Sequence, residues 1–211
     1  MPTEGACQMK LNVKKHLLQF VPELSNLGAP LFLPDAVLEP EKIKVIMINE
    51  VVPQNETDDF YGKSPEPDYL KTTLPLFAAA GVPMKNMDDI LAHGIYITNA
   101  VKTPKSGYTI ETETIKAHLP LLAEELTLFP NLQIVMLMGD VAKKAFNMIA
   151  KAKTGKAAIP SGSTYKLRKE AFYCDGVRVF PSYIMTGGNI LIEKSKFNMA
   201  SEDIAQMATL I

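Results

Sequence analysis

The chain is poor in cysteine and histidine, and each scarcity excludes chemistry. Cys7 and Cys174 stand far apart in 211 residues, which leaves no disulfide framework and no metal-binding Cys spacing. Two reduced thiols in a cytoplasmic protein is the reading they support. His16, His93 and His118 are dispersed, with no His-Glu-x-x-His among them, so no metal site is expected. His16 and His118 fall on predicted helices, as surface or flank residues, and His93 falls in a turn. No apolar run reaches the roughly 18 residues of a membrane span. The first residues, MPTEGACQMK, lack the basic-then-apolar order of a secretory signal. Nucleotide motifs are missing too. No Gly-x-Gly-x-x-Gly follows a predicted strand, and no Gly-x-Ser-x-Gly occurs. Gly155-Lys156 has Ala150 where a phosphate loop needs glycine and Ala157 where it needs Ser or Thr.

What is present is an ordinary globular composition, 47% hydrophobic and 21% charged, in a length that suits one domain. Apolar residues at helical spacing predict a helix over 10–27, closed by Gly28. Three prolines make 29–42 an extended arm, which completes an N-terminal region of 1–42. KVIMIN (44–49), GIYITN (94–99) and LQIVMLMG (132–139) are continuous apolar runs of the kind that form strands buried on both faces. Helices are predicted over 68–80, 111–129 and 141–151, with a last one over 201–210 that starts at Ser201 and Asp203. Residues 163–180 read as a hairpin around Asp175-Gly176, whose second strand is the fourth of the core. The alternation predicts a three-layer α/β/α sandwich on a four-stranded, mostly parallel sheet. Ligands bind such sheets beyond the carboxyl ends of the strands, which selects loops 49–62, 99–109, 139–143 and 181–189.

The net charge of −1 hides a polarised molecule. Residues 141–169 hold eight cations and no carboxylate, against 14 cations and 23 carboxylates elsewhere. Such a stretch can contact phosphates. Lys143, Lys144, Lys166 and Arg168 are the candidates for that role.

The pieces resemble, in order and spacing, the uracil-DNA glycosylase superfamily, and in particular its bacterial and archaeal iron–sulfur branch. KVIMINEVVPQNETDDFYG (44–62) is similar to the first-strand motif of Gly-Glu-Ala-Pro-Gly type with its following aromatic and glycine. GIYITNAVKTP (94–104) resembles the second-strand segment, which ends in an asparagine. PNLQIVMLMGDVAKKAF (130–146) and YCDGVRVFPSY (173–183) look like the third segment and the hairpin that delivers the last motif. The resemblance implies a single domain that hydrolyses the N-glycosidic bond of uracil, or another damaged base, flipped out of DNA. The alternative is a base- or nucleotide-binding module of the same fold that has lost hydrolysis. Asn99 would read the base edge, since a carboxamide accepts from uracil N3–H and donates to O4. Phe60 would stack on the base. Glu50, Asn55 and Asp58 are candidates to hold the attacking water.

Two features depart from the branch. The segment Phe180–Met185 has no histidine to stabilise the departing base. Met185-Thr186-Gly187-Gly188-Asn189 follows instead, so Asn189 and the glycine turn are candidate donors. Thr103 and His118 stand about where two cluster cysteines would, so no iron–sulfur cluster and no other cofactor is expected. The purified protein is therefore expected to be colourless and to contain no iron by elemental analysis. A brown preparation with stoichiometric iron would contradict this.

Overall fold

The computed structural model describes residues 9–20 and 30–211. Strand β1 (Leu11–Asn12) pairs antiparallel with β2 (Val37–Leu38), and helix α1 (Val13–Leu17) follows β1 directly. The helix expected from residue 10 thus starts at Val13. Leu11 and Asn12 are held by the arm, and the Asn12 side chain accepts the Lys15 N–H at 2.8 Å, which caps the first turn. Residues 21–28 of that expected helix lie outside the described residues.

The apolar runs become β3 (Val45–Val51), β4 (Ile95–Val101) and β5 (Ile134–Met138), all buried along nearly their whole length. The hairpin gives β6 (Phe172–Cys174) and β7 (Val177–Ser182), turned by Asp175 and Gly176 at φ 49° and 80°. Two successive residues with positive φ are what a tight hairpin needs. The sheet has five strands in the order β4-β3-β5-β7-β6, four of them parallel, with β6 antiparallel at the edge. The expected four-stranded core is therefore complete, with the first hairpin strand as a fifth.

Both faces of the sheet are covered. On one lie α1, α4 (Thr112–Thr127) and α5 (Asp140–Thr154), which pack on Ile46, Ile48, Tyr96, Val135 and Leu137. On the other lie α2 (Asp68–Ala79), α3 (Met87–Ala92) and α8 (Lys194–Ala208), which pack on Val45, Met47, Ile97, Met136 and Met138. The chain leaves β3 for β4 on one side and returns to β5 on the other. The order therefore reverses beside β3, and the carboxyl ends of β3 and β5 flank the crevice where such folds place ligands.

Four local expectations change. Residues 164–167 form a helical turn, α6, so the hairpin's first strand is only three residues long. α8 starts at Lys194, seven residues before Ser201. Ser201 and Asp203 sit inside it, because the Ser201 hydroxyl donates to the Phe197 carbonyl and Asp203 binds Arg168. α3 and the short α7 (Asn189–Ile192) were not anticipated. His118 is buried rather than on a flank, and donates from Nδ1 to the Thr114 carbonyl at 2.8 Å. Burial lowers its pKa and keeps it neutral.

β4 carries polar side chains to both faces. On the α4 side, Lys102 and Glu125 form a fully buried ion pair, and the Tyr96 and Thr98 hydroxyls both donate to Glu125 Oε1 at 2.6 Å. Removing one partner of such a pair leaves an uncompensated charge in the interior and costs about 3–5 kcal/mol. Lys102→Met is expected to lower the unfolding free energy by about that amount in denaturant titrations. A loss below about 1 kcal/mol would contradict the account.

Candidate functional site

The parallel register of β3 and β4 sets Asn49 directly beside Asn99 near the carboxyl ends of the two strands. Both are buried, on the face that packs against α2 and α8. Two amides with no access to water must find partners in the protein. Asn49 Nδ2 donates to Asn99 Oδ1 at 2.8 Å, and Asn49 Oδ1 accepts the Thr186 hydroxyl at 3.1 Å. Asn99 Nδ2 donates to both oxygens of Asp59, at 2.9 and 3.2 Å. The result is a continuous polar chain, Thr186–Asn49–Asn99–Asp59.

Asp59 reaches this place because its loop is tightly wound. After the 3-10 turn Glu56–Asp58, a Cβ at Gly62 would lie 2.1 Å from the Thr57 carbonyl oxygen, so only glycine closes the turn. Asp59 also accepts the Phe60 N–H at 2.9 Å and borders a cavity of about 170 Å³ with Tyr61, Gly62 and Lys63. Burial raises its carboxyl pKa, against the lowering effect of the Asn99 and Phe60 hydrogen bonds. Tyr69, at the start of α2, stands over the chain. Its ring packs on Phe60 at 5.2 Å, its hydroxyl donates to the Val51 carbonyl at 2.6 Å, and Thr186 is within hydrogen-bonding reach. Burial raises its pKa well out of the neutral range, so it remains a phenol.

The structure divides the expected site residues. Asn99 and Phe60 come together at the polar chain, although Phe60 is 1% exposed and belongs to the core. Glu50 points to the opposite face, as adjacent residues of a strand must. There Glu50 Oε1 accepts the Val141 N–H at 3.0 Å at the start of α5. Its side chain fills the space over Gly139, where a Cβ would come within 2.4 Å of Oε1 and φ is +111°. Asn55 is exposed and caps the 3-10 turn through the Thr57 N–H, and Asp58 is half-buried on the same turn. Asn189 is exposed at the first residue of α7.

The basic stretch is divided as well. α5 runs away from the carboxyl edge, which leaves Lys143 and Lys144 near the site end and Lys151 and Lys153 at the far end, where Lys153 pairs with Asp175. Lys143 pairs with Asp140 at 2.9 Å, and Lys144 donates to the Thr112 hydroxyl. Lys166 is exposed on α6. The Arg168 guanidinium is committed to Asp203, Glu202 and the Met199 carbonyl. Asp59, Asn49, Thr186 and Tyr69 escaped the sequence reading. Asp59 adjoins Phe60, and Thr186 lies in the Met185–Asn189 segment, but nothing in the sequence names any of the four as a partner of Asn99. Among the described residues, no group of three or more His, Cys, Asp or Glu side chains is arranged to hold a metal, and no helix is long and apolar enough to cross a membrane.

The family model of the uracil DNA glycosylase superfamily matches residues 59–189, more than half of the chain, and the chain belongs to that superfamily. The match begins at Asp59 and contains Phe60, Asn99 and Thr186. No curated protein matches the sequence.

Burial raises the Glu50 carboxyl pKa, and nearby Asp140 adds to the rise, against the hydrogen bond from Val141. A carboxyl whose folded pKa exceeds its unfolded value binds its proton more tightly when folded. Ionisation then costs stability, and the cost sets in as pH climbs from the unfolded to the folded pKa. Glu50→Gln removes that titration. Its stability relative to the parent protein is expected to increase as pH rises above the ordinary glutamate value of about 4.5, as read by urea unfolding. A difference that shrinks with rising pH would refute the assignment.

Proposed function

We propose that the protein hydrolyses the N-glycosidic bond of uracil, or another damaged base, extruded from DNA. The observation that carries this is the Asn99 carboxamide, held between Asn49 and Asp59 at the carboxyl end of the sheet beside Phe60. Asn99 reads the base edge and Phe60 offers its ring for stacking. Tyr69 is half-exposed and packs over Phe60, so stacking of a base on the Phe60 ring requires the Tyr69 ring to move.

Hydrolysis breaks the bond from C1′ to the base nitrogen, and the electron pair leaves with the base. The water oxygen bonds to C1′, and its proton passes to solvent or to the base. Glu50 is the carboxylate this reading assigns to the water, since it lies at the β3 end with unused lone pairs; Asp58 and Asn55 border the same loop. Donors aimed at the departing base supply the largest stabilisation in such a step. With no histidine in the last motif, Asn189 and the Gly187-Gly188 turn, in the segment that follows β7, are the candidate donors to the departing base. Lys143, Lys144 and Lys166 meet the DNA phosphates. Arg168 is paired with Asp203 and Glu202, and so ties the end of α6, which carries Lys166, to α8.

The test is a single-turnover assay at enzyme excess on single- and double-stranded oligonucleotides carrying uracil, hypoxanthine or xanthine. Cleavage is expected, and Asn99→Ala is expected to slow it by about ten- to a hundredfold, the equivalent of one buried hydrogen-bonding group. Base binding that depends on Asn99 without any cleavage would replace hydrolysis with recognition alone. Cleavage indifferent to Asn99 would overturn the site.

A further inference from the structure

A carboxamide turned by half a rotation keeps its shape and exchanges its donor and acceptor. An asparagine free to turn would therefore serve uracil and cytosine alike. Asn99 is not free to turn. As a carboxylate Asp59 offers only acceptors, so Nδ2 must face it, at 2.9 and 3.2 Å. On the other side Asn49 presents Nδ2 at 2.8 Å, so Oδ1 must face that way. Asn49 is itself oriented, because its Nδ2 also reaches the Val51 carbonyl at 3.5 Å, which can only accept, and the Thr186 hydroxyl then donates to its Oδ1. Reversing Asn99 would set carbonyl against carboxylate and NH2 against NH2. At 2% exposure, water cannot compensate either clash.

We propose that Asp59 is the specificity-determining residue of the site: by fixing the orientation of the Asn99 carboxamide it selects bases with a lactam edge, –CO–NH–, over bases with an amino edge, –C(NH2)=N–. The proposal rests on Asn99 as the base-reading group. Asp59 and Asn49 use one N–H and one lone pair of Asn99, which leaves one N–H and one lone pair for the base. That remainder matches a carbonyl next to an N–H. Uracil presents this as C4=O and N3–H, and hypoxanthine and xanthine as C6=O and N1–H. Cytosine and adenine present an amino donor where the site also donates. The lock thus admits uracil, hypoxanthine and xanthine and rejects cytosine and adenine; guanine and thymine carry the same lactam edge, so the lock does not exclude them. Asp59 acts through Asn99 and is a positioning residue.

Asp59→Asn preserves shape but accepts or donates equally well, and so releases the lock. Single-turnover rates and equilibrium binding are compared on single-stranded oligonucleotides that differ only in one uracil or one cytosine. The variant is expected to shift the uracil-to-cytosine ratio toward cytosine by about ten- to a hundredfold, chiefly through a gain on cytosine. An equal loss on both bases, with the ratio unchanged, would show Asp59 to be merely structural and overturn the proposal while uracil cleavage stands. Uracil handling indifferent to Asn99→Ala would remove the base-reading role and the proposal with it. Side-chain amide NMR of the parent protein tests the lock without turnover. One Asn99 Nδ2 proton is expected at low field from the carboxylate hydrogen bond, and its absence would overturn the proposal.

Discussion

Two asparagines side by side on buried parallel strands are the constraint around which the site is organised. The β3–β4 register puts Asn49 opposite Asn99, and neither amide reaches water. Each buried donor or acceptor left without a partner would cost on the order of 1–3 kcal/mol. The surrounding loops therefore supply partners from distant parts of the chain. Thr186 comes from the segment after β7, and Asp59 from the wound turn before Phe60. The same strand turns Thr98 to the other face, where Lys102 and Glu125 complete a second buried network. β4 is thus anchored by polar groups on both sides, and the position of Asn99 is fixed along the strand as well as across it.

The polar chain lies on the α2–α8 face, whereas Glu50 lies on the α5 face and ties β3 to the start of α5 beside Gly139. Glu50 and the Asn49–Asn99 pair therefore stand on either side of one strand end, at the reversal of strand order. A ligand seated at that edge would meet an oriented amide from one face and a partly buried carboxylate from the other. Membership of the uracil DNA glycosylase superfamily agrees with a base as that ligand.

The layers and the core strands of the fold were legible in the sequence because period and continuity are local. KVIMIN, GIYITN and LQIVMLMG read as doubly buried strands for the same reason that helices cover both of their faces. Asp175-Gly176 read as a hairpin turn because few other pairs tolerate positive φ twice. The helix limits were less legible. Leu11 and Asn12 were taken by a strand pairing with Leu38 and Val37, far along the chain, and Ser201 found its hydrogen bond within α8 instead of at its start. Asn99 stood out as a polar residue ending an apolar run. Asp59 did not, since one aspartate in an acidic, polar loop looks like its neighbours until the fold brings it 2.9 Å from Asn99. Arg168 shows the converse: a basic residue in a basic stretch, already held by Asp203 and Glu202.

The most direct measurement is a crystal structure of the protein with an oligonucleotide whose uracil is protected from hydrolysis by a 2′-fluorine. The account predicts the base extruded against Phe60, its C4 carbonyl accepting from Asn99 Nδ2 at about 2.7–3.2 Å, with the Asp59 contact to the same nitrogen retained. A base bound elsewhere, or bound at Asn99 with the amide reversed against Asp59, would contradict it.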